Sequence, residues 1–259
     1  MQNDEAIEVG SEVIDEVEFY GEKPLRWYQV AARNAAVQCI LEKRNARVLI
    51  VLPTGAGKTL TIAASLSFPA MREALGVTGD RPLRVLFIAH KHRLLSQAEA
   101  TFVTESNVDL VPQSAFAELP KDLTFDVVVI DESHHEAMST IQYHLEKLGD
   151  FPIIGLTATP DRADGCLIKF DNIVNPISRE QAVKEGYLAP TNIHTFVDVP
   201  SKEKVAVLTN ILENYAHQMG QSMVFVKTKK EVRAITTVLT NLGYTAVGVL
   251  DQSERELNE

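Results

Sequence analysis

The sequence is poor in cysteine and has no long apolar run, and each shortage excludes a class of protein. Its two cysteines, Cys39 and Cys166, lie far apart in no metal-like spacing, which predicts reduced thiols and a cytoplasmic location rather than a disulfide scaffold. No apolar run approaches the length of a membrane span, and the acidic N-terminus does not resemble a signal peptide. We therefore expect an intracellular globular protein.

Positive charge is also scarce, since 25 Lys and Arg stand against 35 Asp and Glu and give a formal net charge of −10. The deficit is concentrated in residues 1–22, which contain eight acidic residues and no Lys or Arg, so residues 23–259 carry only −2. We expect residues 1–22 to form an acidic, flexible leader. The nearly neutral remainder leaves room for a local basic surface.

Apolar runs alternate with helical segments along the rest of the chain. A helix is expected over Pro24–Leu41. The predicted buried strands are Val48–Leu52, Val85–Ala89, Val108–Val111, Val127–Ile130, Ile153–Leu156, Met223–Val226 and Ala246–Leu250. Near-continuous Val and Ile runs separated by helices predict an α/β fold, a doubly wound parallel sheet covered on both faces.

The same pattern predicts the domain organisation. Residues 23–175 hold most of the strands and form the expected first domain, and residues 176–200 form a connector with a helix closed by Gly186. Residues 201–259 form a second α/β unit with two predicted strands, which are too few to cover both faces of a sheet. We expect this unit to be an incomplete domain.

A glycine-rich loop follows the first of these strands and precedes a helix-forming run. Glycines at 55 and 57 let the backbone bend so that successive N–H groups point at phosphate oxygens. The start of the next helix adds the positive end of its dipole. Lys58 can reach the β- and γ-phosphates, and the Thr59 hydroxyl can hold Mg²⁺. The phosphate-binding residues predicted here are Pro53, Thr54, Gly55, Ala56, Gly57, Lys58 and Thr59.

Acidic residues come directly after another predicted strand. Asp131 is placed to hold Mg²⁺, and Glu132 is placed to accept a proton from an attacking water. His134 is expected to act as a coupling or hydrogen-bonding group. Zinc binding is disfavoured because the spacing between His134 and the neighbouring histidine and acids does not complete a ligand set. Thr157 and Thr159, after the next strand, could hydrogen-bond the acidic cluster and sense the γ-phosphate.

In their order along the chain, these segments resemble the first motor domain of helicase superfamily 2, in its DExH-box branch, which includes DNA-repair translocases of bacteria and phages and type III restriction subunits. The matching segments are Leu25 to Gln29, Pro53 to Thr59, Ile88 to Gln97, Val111 to Ser114, Asp131 to His134, Thr157 to Thr159 and Val224 to Thr228. The resemblance implies a RecA-like first domain and a partial second RecA-like lobe. It also implies an ATP hydrolase that uses Mg²⁺ and moves along nucleic acid, with DNA more expected than RNA.

The resemblance also assigns residues to roles. Arg26 and Gln29 match the motif in which the family reads adenine. The residues that match backbone-contacting motifs for nucleic acid are Lys91, His92, Arg93, Gln113, Ser114, Lys227 and Thr228. Trp27 and Tyr28 could stack on adenine or simply pack, and packing is the favoured interpretation for Tyr28.

Two motifs of the family, V and VI, have no counterpart in the printed sequence, which is expected to be truncated before them. The 259 residues contain no Gln-x-x-Gly-Arg-x-x-Arg segment, which in the family supplies an arginine finger. We therefore expect a truncated motor that binds Mg²⁺ and ATP but hydrolyses ATP weakly by itself. The alternatives are a nucleotide-gated nucleic-acid-binding module and one part of a split motor that a second chain completes. The acidic leader could also act as a nucleic-acid-mimicking lid.

Overall fold

The computed structural model describes residues 17–90, 92–102, 107–117, 124–131, 150–159, 170–191, 203–218 and 220–250. The chain divides into two compact units, Met1–Pro190 and Thr191–Glu259, which are described separately. The first unit contains the predicted first domain together with the start of the predicted connector.

The first unit is built on strands and helices that alternate along the chain. Its strands are β1 (Phe19–Tyr20), β2 (Lys23–Pro24), β3 (Arg47–Val51), β4 (Leu83–Ala89), β5 (Val108–Ser114), β6 (Val127–Asp131), β7 (Ile153–Thr157) and β8 (Asn172–Val174). Its described helices are α1 (Trp27–Glu42), α2 (Lys58–Ser67), α3 (Pro69–Ala74), α4 (His92–Phe102) and α5 (Arg179–Lys184). Each strand predicted before residue 160 is confirmed to within a few residues.

Six of these strands form one parallel sheet in the order β5-β4-β6-β7-β3-β8. Because successive residues of a strand point to opposite faces, each strand contributes to two layers. Val85, Phe87 and Val129 lie in one cluster with helix residues such as Ile40 and Ile62. Residues of the opposite face form a second cluster, which contains Leu86, Ile88, Val128, Ile130 and Ile153. Each fully buried side chain of this size contributes about 1.5–3 kcal/mol, so the two layers account for the sheet's stability.

A short hairpin, β1 and β2, fastens the start of the described chain to this core. Glu18 forms a two-pronged ion pair with the buried Arg33 of α1, and the Arg33 guanidinium lies 3.8 Å from the centre of the Phe68 ring. The Tyr20 hydroxyl donates to the backbone carbonyl of Thr101 in α4 at 3.1 Å. The hairpin therefore ties the sequence just before α1 to two other parts of the core.

The second unit has helices α6 (Lys204–Tyr215) and α7 (Lys229–Asn241), with a turn of 3₁₀ helix at Ala216–Gln218. The strands predicted at Met223–Val226 and Ala246–Leu250 are wrong for the described residues, because neither segment pairs as a strand. A groove of about 770 Å³ is lined by residues of both segments. None of the residues described between 203 and 250 is buried, so this unit lacks the packed layer that pairing would create.

Candidate phosphate-binding site

The glycine loop and the acidic residue emerge from the same edge of the sheet. Val51, the last residue of β3, pairs with Thr157 of β7, and Asp131, the last residue of β6, pairs with Leu156 of β7. Since neighbouring strands lie about 4.8 Å apart, Asp131 is about 10 Å across the sheet from β3. This arrangement brings together the two segments from which the sequence predicts a phosphate and metal site.

The loop between β3 and α2 has the backbone that its sequence predicts. Gly55 and Gly57 have φ angles of 86° and 87°, a region that favours glycine. The N–H of Ala56 donates to the carbonyl of Pro53 at 3.0 Å, which closes a tight turn. A Cβ atom at Gly57 would lie 2.7 Å from Nε2 of Gln29, so a larger residue at this position would displace the Gln29 amide.

Two side chains from α1 hold the carbonyl groups of this loop. The Tyr28 hydroxyl donates to the carbonyl of Ala56 at 3.0 Å, and Nε2 of Gln29 donates to the same carbonyl at 3.3 Å. In a trans peptide the C=O and the following N–H point in opposite directions. Because the Ala56 carbonyl faces α1, the N–H of Gly57 faces away from α1, as an anion-binding loop requires.

Helix α2 begins at Lys58, directly after the loop, with Gly57 as its N-cap residue. Its positive dipole end and its first backbone N–H groups therefore lie at the loop. Lys58 and Thr59 are half-buried. The backbone N–H groups, the Lys58 ammonium and the Thr59 hydroxyl are the groups that bind a phosphate with an associated Mg²⁺. The residues present therefore fit the ligands that the sequence predicts.

The acidic side of the site is described up to Asp131, which is buried. Thr157 is also buried, and its hydroxyl accepts from the N–H of Thr159 at 3.1 Å and donates to the Thr159 carbonyl at 2.9 Å. Glu132 and His134 lie outside the described residues, so their predicted roles stay predictions. Among the described residues, no three His, Cys, Asp or Glu side chains come together as a further metal site would need.

The residues predicted to read adenine are arranged around the loop. Gln29 is buried, and its Oε1 accepts from the backbone N–H of Arg26 at 2.9 Å while its amide faces the loop. Tyr28 is fully buried, and its hydroxyl accepts from Nη1 of Arg26 at 2.8 Å. Burial raises the pKa of Tyr28 and the Arg26 contact opposes that rise, so the phenol stays protonated and can donate. The loop-supporting role of Tyr28 is missing from the sequence interpretation, which favours simple packing.

The predicted nucleic-acid residues of the first unit follow β4 and β5. These strands end side by side, since Ala89 pairs with Ser114. Arg93 is exposed in the first turn of α4, whereas Lys91 and the side chain of His92 lie outside the described set. The Ser114 hydroxyl accepts from the N–H of Phe116 at 3.4 Å.

Two of the predicted contact residues, the buried Gln113 and the exposed Thr228, have structural partners. Gln113 is buried, and its amide donates to the carbonyls of Ser114 and Ala117 at 3.3 Å each. In the second unit Thr228 caps α7, because its hydroxyl accepts from the N–H of Glu231 at 3.2 Å, while Lys227 beside it is exposed. Their contacts with nucleic acid stay predictions.

In the described part of the chain, no helix combines the length and the apolar character that crossing a membrane would demand.

Parts of the chain are similar in sequence to known proteins. A family model described as type III restriction enzyme, res subunit, matches residues 22–111 and 106–162, which together span more than half of the chain. A 51.5 kDa protein of Lactococcus phage (isolate 7-9) is 27% identical over 163 residues, 59% of this chain and 33% of that protein. The helicase-named protein 109L of Invertebrate iridescent virus 3 is 25% identical over 179 residues, 59% of this chain and 50% of that protein. The chain thus spans a third to a half of the length of these relatives.

Among solved structures, the SWI2/SNF2 ATPase core of Sulfolobus solfataricus in complex with dsDNA superimposes with a TM-score of 0.44 and 13% identity. That match covers 84% of this chain and 57% of the other.

The parallel sheet, the glycine loop and the acidic strand end form an α/β, RecA-like domain, and the sequence matches place it in helicase superfamily 2. The chain belongs to the family of the type III restriction enzyme res subunit.

Proposed function

We propose that the chain is the ATP-binding part of a DNA helicase or translocase of the DExH-box branch. The observation that carries the proposal is the shared edge, where the loop after β3 and Asp131 at the end of β6 flank the end of β7. One site of this kind can hold the phosphates and the Mg²⁺ of a nucleotide. ATP is the proposed nucleotide because Arg26 and Gln29 match the family's adenine motif.

Each residue of the loop has a defined task in this proposal. The N–H groups of the loop and of the start of α2 bind phosphate oxygens, and Lys58 neutralises their charge. Thr59 and Asp131 hold Mg²⁺, which supplies further neutralisation of the phosphates when bound. Glu132, the residue after Asp131, accepts the proton of the attacking water. Thr157 and Thr159 transmit the state of the site to the acidic strand end, together with His134.

Nucleic acid is proposed to run along the ends of β4 and β5. Lys91, His92 and Arg93 stand directly after β4, and Ser114 ends β5, so a set of donors and cations follows adjacent strands. Such groups grip the phosphate backbone without reading bases. DNA rather than RNA, and the intracellular location expected from the sequence, are part of the proposal.

A second candidate function follows from two observations: the 259 printed residues contain no Gln-x-x-Gly-Arg-x-x-Arg segment, and no residue described between 203 and 250 is buried. In other phosphate-loop enzymes an arginine finger raises the catalytic rate by a factor on the order of 10³–10⁵. The 259 residues are then a nucleotide-gated nucleic-acid clamp, or one part of a motor that another chain completes. In either case the isolated chain binds ATP and turns it over slowly.

ATP turnover tests the proposal, measured with the wild type and with the Lys58→Ala and Glu132→Gln variants, each with and without single-stranded DNA, duplex DNA and RNA. We expect slow, Mg²⁺-dependent turnover by the wild type and none above background in either variant. Rapid DNA-stimulated turnover by the wild type would favour a complete motor and reject the clamp. Equal turnover in all three proteins would reject the assigned site.

A further inference from the structure

The last residues of the first unit return to the phosphate-binding loop, although the motifs of the sequence do not include them. Helix α5 ends in a Schellman motif: Gly186 has φ 77°, its N–H donates to Val183, and the N–H of Tyr187 donates to Ala182 at 2.8 Å. Ala182 is fully buried in the main core, so the end of α5 is firmly anchored. This turn directs Tyr187 and Leu188 toward the start of α1.

Tyr187 contacts two of the residues that support the loop. Its ring packs edge-on against the ring of Tyr28, with centroids 5.4 Å apart at 73°. The Arg26 guanidinium lies 5.1 Å from the centre of the Tyr187 ring, which is cation–π geometry. Arg26 also donates to the Tyr28 hydroxyl, and that hydroxyl donates to the carbonyl of Ala56. A chain of contacts therefore runs from Tyr187 to the loop.

Two further contacts join the same segments. The indole N–H of Trp27 donates to Oε2 of Glu185 at 2.8 Å, across 158 residues of sequence. A Cβ atom at Gly55 would lie 3.2 Å from Cδ2 of Leu188, so Leu188 is close to the loop itself. This segment therefore contacts the start of α1 through Glu185 and lies beside the loop through Leu188.

We propose that Tyr187 is a positioning residue of the nucleotide site, which acts through Arg26 and Tyr28 to keep the loop carbonyls turned toward α1 and its N–H groups turned toward phosphate. The inference rests on the proposed function, since it concerns the same loop. Removing the aromatic ring frees Arg26 and Tyr28, and the loop then spends part of its time with carbonyls facing the anion. The affinity that is lost is the affinity for phosphate, so the loss does not depend on which base the nucleotide carries.

The test compares Tyr187→Leu and Tyr187→Phe with the wild type, using calorimetric titration of Mg·ATP, Mg·GTP and inorganic tripolyphosphate. Tyr215→Leu, the same change at an exposed position of α6, is the matched control. We expect Tyr187→Leu to bind all three probes about three- to tenfold more weakly, since aromatic and cation–π contacts contribute free energies that correspond to such a change in affinity. Tyr187→Phe keeps the ring and is expected to bind within about twofold of the wild type, as is Tyr215→Leu. Loss for ATP alone, or no loss at all, would overturn the inference.

A second readout needs no variant, because Trp27 is the single tryptophan of the chain and lies against Tyr28, with ring centroids 5.9 Å apart. We expect its emission to change as Mg·ATP is added, with a midpoint equal to the calorimetric dissociation constant. A wild type that binds ATP without any change in emission would contradict the linkage between the loop and this segment. A wild type that binds none of the probes would instead reject the proposed function itself.

Discussion

At the scale of single residues, Gly57 and Gly79 provide a matched pair. Both have positive φ, 87° and 73°, but a Cβ atom at Gly57 would meet Gln29 at 2.7 Å, whereas nothing lies within 4 Å of one at Gly79. Alanine at either position costs about 1–2 kcal/mol for the left-handed backbone. Gly57→Ala must also displace Gln29 from the Ala56 carbonyl, which adds about 1 kcal/mol.

We therefore predict that Gly57→Ala lowers the free energy of unfolding by about 1 kcal/mol more than Gly79→Ala does. Denaturant titration followed by Trp27 emission measures both values in the first unit. Gly57→Ala is also expected to lose Mg·ATP binding, while Gly79→Ala keeps it. Equal destabilisation and equal binding in the two variants would contradict the packing of Gln29 against the loop.

The sequence predicts the residues of this site that belong to a local motif, but not the contacts between residues that are distant along the chain. Gly55, Gly57 and Lys58 are identifiable because their chemistry is local: a strand, a tight turn and a helix start follow one another. The contact between Trp27 and Glu185 joins residues 158 apart, and no local pattern announces it. Tyr28 shows the same limit, since its burial is foreseeable but the carbonyl that its hydroxyl meets depends on the tertiary structure.

At the scale of elements, charged side chains connect the starts of β4 and β6, at the ends of the strands opposite the site. Arg81 donates to both carboxylate oxygens of Asp126 at 2.7 Å, and the backbone N–H of Arg84 donates to Asp126 at 2.9 Å. Burial raises the pKa of Asp126, but hydrogen bonds from Arg81 and Arg84 and their charges lower it more, so the net pKa is below the ordinary value. A depressed pKa means that the carboxylate stabilises the fold above its unfolded pKa, and that this contribution is lost as the pH falls through the folded pKa.

We predict that Asp126→Asn lowers the free energy of unfolding by about 1 kcal/mol at pH 7, because Arg81 is half exposed and water screens the pair. The difference from the wild type should shrink as the pH falls below about 4, the ordinary pKa of an aspartate in the unfolded chain, toward the lower pKa of the folded carboxylate. Asp109→Asn, which loses only the more exposed contact with Arg84, is the control and should cost less. Denaturant titration at pH 7 and at pH 3.5 checks both, and a difference independent of pH would contradict the assignment.

Elements are predictable where burial dominates the sequence. Strands β3, β4, β6 and β7 each contain a run of at least four residues without a polar side chain, as is typical of a parallel strand buried on both faces. Strand β8 has only three residues and the β1–β2 hairpin only two residues a side, which are too short to show a period. The runs at Met223–Val226 and Ala246–Leu250 are equally apolar, but a strand also needs a paired neighbour, and neither segment pairs as a strand.

At the scale of the whole molecule, the two units differ in how much they bury. The first has clusters on both faces of its sheet, whereas Met223, Phe225 and Val247 in the second are 84%, 87% and 83% exposed. The free energy of local unfolding rises with the number of buried apolar contacts, so local stability should be higher in the first unit than in the second.

We predict that amide hydrogens of β3, β4, β6 and β7 exchange slowest in the chain, while those of α6 and α7 exchange within seconds to minutes at neutral pH. Exchange followed by mass spectrometry on peptides from each unit measures this directly. Comparable protection of α7 and β6 would show that the second unit has a packed core, contrary to its exposed apolar residues.

Binding of Mg·ATP to the wild type and to Lys58→Ala is the measurement that bears most directly on the central claim, a nucleotide held between the loop at Gly57 and Asp131. Lys230→Ala, an exposed lysine of α7, serves as the control of equal charge change. We predict that calorimetry shows one site per chain in the wild type and in Lys230→Ala, and at least tenfold weaker binding in Lys58→Ala, about 1.4 kcal/mol. Equal affinity in all three proteins, or no binding to the wild type, would contradict the account.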